Sequence, residues 1–150
     1  MRVTFPRFPD YQRSYSLVER DNGVVCRLPG EIAGPRLPRD IMQLVVEREL
    51  RVTDGIWAAI AAGTDAAGSV RAQALTDVVA AVAALDAPTP AQIRRLAIVG
   101  LPLPDAGMSP AVLAAAAQAL QVEAARWAHL RPGGHLSYQW PIEVRYRPAS

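Results

Sequence analysis

Four polar side chains at helical spacing, Arg39, Asp40, Gln43 and Glu47, are the residues of this chain best suited to chemistry. Asp40, Gln43 and Glu47 stand at i, i+3 and i+7, one stripe of a helix that begins at Arg39, and Arg36 lies in the loop just ahead. A carboxylate held in a pocket acts as a general base, and an arginine beside it holds an anionic substrate or an enolate. On that chemistry Asp40, Glu47 and Arg39 are the candidate catalytic groups, and Arg36 and Gln43 are candidates for binding substrate. The same residue types also suit the water-facing side of any amphipathic helix, and an aspartate near a helix start suits the macrodipole without any function.

Other chemistries lack their residues. Every basic residue is an arginine, so a Schiff-base lysine, a phosphate-loop lysine and a lysine general base are excluded. No Gly-x-Ser-x-Gly elbow and no glycine-rich nucleotide loop occurs. The histidines, His129 and His135, lie six apart across Pro132-Gly133-Gly134, and the one cysteine, Cys26, is far from both in sequence. That is not the paired spacing of a zinc site, so no metal and no cofactor are expected. His129 suits the end of a long helix, where a cation favours the dipole. Cys26 sits in a half-buried strand pattern and reads as a packing residue that needs no disulfide. Trp57, Trp127 and Trp140 each stand among apolar residues in separate elements, the usual placement of core anchors. If the three instead converge with Tyr138, they line an apolar pocket with a few polar groups, and Trp57, Tyr138 and His135 are further substrate-binding candidates.

The elements that would carry these residues follow from periodicity and punctuation. Arg2–Phe5 is a brief strand, Tyr11–Glu19 alternates over a longer one, and Val24–Leu28 resumes after Asp21-Asn22-Gly23, a strong hairpin signal. Pro29 to Pro38 reads as a loop. Helices are expected over residues 39–51, over 55–62 with Thr53 or Asp54 as cap, and over 69–85, where Val70, Leu75, Val78, Val79 and Val82 share one side. Thr89-Pro90-Ala91-Gln92 is a capping box opening a short helix, and Ser109-Pro110 opens the longest, to about Leu130. Leu136–Trp140 alternates as a strand, and Ile142–Tyr146 is a last extended piece. The chain is therefore expected to be a single α+β domain over 1–150. Its N-terminal hairpin and C-terminal strand make a small antiparallel sheet covered by about five α-helices.

Composition bounds the surroundings. Among 150 residues 51% are apolar and 20% charged, with a net charge of +2, which excludes a disordered chain. No apolar leader is expected, and the apolar stretch from Val112 to Leu120, interrupted by Gln118, is far short of the ~20 residues a bilayer requires. A cytoplasmic protein without membrane partners is expected. The arginines are scattered from Arg2 to Arg147, with Arg94-Arg95 the only adjacent pair, so no basic run marks a nucleic-acid partner.

The tract Leu37-Pro38-Arg39-Asp40-Ile41-Met42-Gln43-Leu44-Val45-Val46-Glu47, followed by Asp54 to Gly63 and closed by Gly133 to Pro141, resembles a family of small actinobacterial proteins. In that family the corresponding helix carries histidines where Arg39 and Gln43 stand, and a glutamate where Glu47 stands, spaced like a metal-binding helix face. The resemblance implies an α+β fold and no particular activity. Arginine cannot ligate a metal and glutamine is a poor ligand, so the implied site is lost or refitted here. Taken together, the expectation is a metal-free, cofactor-free acid/base enzyme of bacterial secondary metabolism, a cyclase, isomerase or lyase acting on a small molecule. The alternative is a non-catalytic binding or interaction module, with a homodimer possible in either case. Exposure of Leu113, Ala117 and Leu120 on the long helix would mark its partner surface.

Overall fold

Buried and open positions alternate along four short segments, the period of two imposed on a sheet that is covered on one face. Val3 and Phe5, Ser16 and Val18, and Leu136 and Tyr138 are buried, while the residues between them reach solvent to varying degrees. The structure, a computed structural model, describes residues 1–64 and 68–140. Its strands are β1 (Arg2–Pro6), β2 (Arg13–Glu19), β3 (Val25–Ile32) and β4 (His135–Gln139). They form one antiparallel sheet in the order β3-β2-β1-β4. The first strand is thus central: Val3 pairs with Val18 on one side and Tyr138 on the other. The extended piece expected at Ile142–Tyr146 lies outside the described residues.

Five α-helices supply the cover: α1 (Arg39–Glu49), α2 (Ile56–Ala61), α3 (Val70–Ala83), α4 (Pro90–Gly100) and α5 (Pro110–His129), with a 3-10 turn at Asp105–Gly107. The α+β architecture expected from the sequence is the one observed. Helix starts follow their local chemistry. Thr89 and Gln92 form the capping box of α4, and the Ser109 hydroxyl accepts from Ala111 N–H at the start of α5. Ile41, Leu44 and Val45 of α1, Leu75 and Val79 of α3, and Leu113 of α5 are fully enclosed in one core with Val3 and Val18 of the sheet. Arg71 fastens the start of α3 to two loops. It donates to Asp105 at 2.7 and 3.0 Å and to Asp54 at 2.9 Å.

Three local expectations are corrected. The segment from Pro29 does not leave the sheet: β3 continues through Pro29 and Gly30 to Ile32, because an edge strand tolerates a residue without an N–H. Tyr11 is not part of β2. It takes a φ of 70° and donates its N–H to Ala33 O, turning the chain before the strand begins. Val70 does not join the apolar side of α3, since as first residue of the helix it points into solvent.

The cap of α2 also differs from the expected one. Neither Thr53 nor Asp54 serves it: Asp54 accepts from Ser69 and Arg71, and the N-cap position is Gly55. The acceptor comes from α1 instead. Glu47 Oε1 accepts from Trp57 N–H at 3.1 Å, and its carboxylate lies against Gly55 so closely that any Cβ there would overlap it. Gly55→Ala should therefore force α1 and α2 apart and lower the unfolding free energy by about 1–3 kcal/mol, measured by urea denaturation. An unchanged midpoint would mean that the two helices do not depend on this approach.

Candidate functional site

The stripe expected along α1 does not survive as a common face, because its members turn to different neighbours. Arg39 Nη1 donates to Asp77 of α3 at 2.6 Å, a surface ion pair of small energetic worth. Its backbone N–H donates to Glu31 Oε1 at 2.6 Å, so a glutamate of β3 caps a helix whose own N-cap residue, Pro38, carries no acceptor. Arg36 is exposed on the loop before α1, and Gln43 is half-buried one turn after Asp40.

Glu47 departs furthest from expectation. It is only 2% exposed, inside the core. Removing a carboxylate from water disfavours its charged form, and here that desolvation outweighs the N–H groups of Ile56, Trp57 and Ala58 that favour it. A neighbouring Asp54 acts in the same direction as burial, and the carboxyl is pushed up from 4.5 to about 7. Glu47 is therefore the internal cap of α2 rather than a group open to substrate. Trp57 shares this architectural role: buried in the first turn of α2, it donates its indole N–H to Asp40 O at 2.9 Å. The carboxylate and the indole together fasten α2 to both ends of α1.

Tyr138 does approach Trp57, through Phe5. The Phe5 ring is edge-on to Trp57 at 5.7 Å and to Tyr138 at 5.8 Å. All three rings are buried, so this convergence is a packed aromatic core and not a pocket wall. The Tyr138 hydroxyl donates to Glu123 Oε2 of α5 at 2.5 Å, and Glu123 also accepts from Arg126. Burial and this carboxylate partner hold the phenol well above its usual range, so it stays a donor. His135 is on the opposite, open face of the sheet and cannot join the others.

Asp40 remains. Its carboxyl is half-buried where the start of α1 meets the ends of β2 and β3. Oδ2 is 3.4 Å from where a Cβ on Gly30 would be. Burial raises its pKa, its own backbone N–H opposes this, and Glu31 adds to the rise. Among the described residues no cation pairs with it. Ser14 flanks the same glycine, and its hydroxyl donates to Glu31 O at 2.5 Å. The arrangement is a desolvated carboxyl beside a hydroxyl, with a bare backbone wall.

Sequence reasoning missed Ser14, Gly30, Glu31 and Glu123. For Glu123 a signal was present: it stands three residues after Leu120 and four before Trp127, on the buried stripe of α5. Among the described residues no group of three or more His, Cys, Asp or Glu side chains is close enough to hold a metal ion. No family model matches the chain, and neither a curated protein nor a solved structure matches it.

The elevated Glu47 carboxyl has a measurable consequence. A carboxyl whose pKa is higher in the folded than in the unfolded chain contributes stability fully below about pH 4.5. That contribution is lost as pH rises through about 7. From pH 5 to pH 8 the wild type should lose up to about 3 kcal/mol that Glu47→Gln does not lose. Parallel pH profiles of the two proteins in urea unfolding would show that Glu47 does not carry the shift.

Proposed function

We propose that this protein is a small-molecule acid/base catalyst of bacterial secondary metabolism, with Asp40 as the group that moves the proton. The supporting observation is the state of Asp40: half-buried, unpaired by any described cation, and set beside Ser14 against a glycine wall. A carboxyl raised toward working pH is a better proton donor and acceptor than one in open water. Glu47 and Arg39, spent on a helix cap and a surface ion pair, are left out of the catalytic set; Trp57, Tyr138 and His135 are left out of the substrate set. In this reading Gln43, one turn along, and Arg36, on the entering loop, orient a polar or anionic substrate. The reaction belongs to the cyclase, isomerase or lyase class, in which proton transfer alone suffices and neither metal nor cofactor is used. The resemblance to the actinobacterial family enters with the same standing: its helix carries an aspartate and a glutamate where Asp40 and Glu47 stand, and of the two Asp40 is the one still open to chemistry here. A cytoplasmic setting goes with this reading. No helix among the described residues is long and apolar enough to cross a membrane.

A second reading, a non-catalytic interaction module, has a different surface behind it from the one the sequence nominated. Leu113, Ala117 and Leu120 are buried against the core. Ile98, Val99 and Leu103, at the end of α4 and in the loop after it, are instead 62%, 82% and 87% exposed. A second copy of the chain or another protein docking there would make the accessory role, and sedimentation at rising concentration separates a dimer from a monomer.

Native mass spectrometry of the protein from a GC-rich bacterial host supplies the test of the first reading, through any small molecule that co-purifies. Turnover of that molecule should fall by about 10²–10⁴-fold in Asp40→Asn, with the circular dichroism spectrum unchanged. Undiminished turnover in Asp40→Asn would overturn the assignment.

A further inference from the structure

Three arginines far apart in sequence, Arg2, Arg13 and Arg27, fall on one face of the sheet. The sheet is covered by helices on one side, and its other side carries no described element. Strand alternation puts Arg2 and Thr4 of β1, Tyr15 and Leu17 of β2, Arg27 of β3 and Ser137 of β4 on this open face. Arg13, at the start of β2, follows the same alternation. Glu19 is the one carboxylate that the described strands turn to this side, and Arg2 of the neighbouring strand pairs with it. Arg13 and Arg27 have no ion-pair partner among the described residues, so the face keeps a surplus of positive charge.

Aromatic surface accompanies that charge. The Arg27 guanidinium lies 4.2 Å from the centroid of the Tyr15 ring, and Phe8 meets the same ring edge-on at 4.8 Å. An arginine stacked on a tyrosine offers its outer plane to a further flat group while its N–H donors remain available to anionic oxygens. Along the adjacent strands the Thr4 and Ser137 hydroxyls lie 3.0 Å apart, and Gln139 is exposed at the next outward position of β4. These are neutral donors and acceptors at the spacing of a sheet.

We propose that this open sheet face binds single-stranded RNA. Arg13 and Arg27 meet phosphates, the Tyr15–Arg27 stack receives a base, and Thr4 and Ser137 meet ribose hydroxyls. Charge complementarity selects a polyanion, and the exposed stack selects one whose bases are unpaired, since a duplex hides the flat faces. The hydroxyl pair favours RNA over DNA, because the 2′-OH is the added partner. The face is independent of Asp40, which is on the helical side.

Fluorescence anisotropy with a labelled cytidine–adenosine repeat RNA of about 12 nucleotides, within the range such surfaces cover, tests this on the intact protein. Saturable binding is expected, with log affinity falling against log salt at a slope of about −1.4, or −0.7 for each arginine–phosphate contact. Arg27→Gln should weaken binding about tenfold and reduce the slope by about 0.7. Tyr15→Ala should weaken binding by a similar factor without changing the slope. Arg27 is exposed, so its variant keeps the fold even if Tyr15→Ala does not. Absence of saturable binding, equal binding of duplex RNA, or indifference to Arg27→Gln would overturn the proposal. Equal binding of the DNA of the same sequence would overturn the assignment to RNA.

Discussion

One buried carboxylate sets the terms for the helical layer. Glu47 sits inside the core against a glycine and turns its oxygens toward the first N–H groups of α2. A six-residue helix is too short to be stable by its own hydrogen bonds, so α2 exists because α1 completes its first turn and Trp57 anchors it. The cost is a desolvated acid, and the amide groups only partly offset it. A carboxyl so placed can be neutral and still accept, through its carbonyl oxygen, the hydrogen bond that the helix requires.

From this junction the packing extends to the sheet. Trp57 touches Phe5 of the central strand, Phe5 touches Tyr138 of the edge strand, and Tyr138 reaches Glu123 on the longest helix. A single path of aromatic rings and two buried carboxyls thus joins α2, the sheet and α5. Each polar group on it has a partner, the condition under which buried polar groups cease to be costly. What stays open to chemistry lies outside the path: Asp40 at the corner between α1 and β3, and the sheet face that no described element covers.

The elements were legible because they rest on local rules. The Asn22-Gly23 turn takes the positive φ at Gly23 that its residues favour, and Thr89 and Gln92 cap α4 as their spacing dictates. The alternation of Tyr15, Leu17 and Glu19 against Ser16 and Val18 separated open from covered positions. The site was less legible, since a polar stripe at helical spacing says which residues share an azimuth and not what meets them. Glu47 stands among Val45, Val46 and Leu50, and only the arrival of α2 from further along the chain decides that it is enclosed. Asp40 owes its environment to Ser14 and Gly30, residues in strands distant in sequence. The shared face of Arg2, Arg13 and Arg27 was hidden for the same reason: strand pairing converts distant positions into neighbours.

The pairing of β1 with β4 has a bearing on how the chain is made. Thr4 and Ser137 are neighbours across the sheet, yet the whole helical layer is encoded between them. During synthesis the first hairpin can form early, but the central strand has an open edge until β4 leaves the ribosome. Such long-range closure is slow relative to helix formation, because the loop entropy is lost before the contacts reward it. For that interval β1 is a strand edge with a hydrophobic side, the kind of surface that nascent-chain chaperones shield and that aggregates when translation outruns folding.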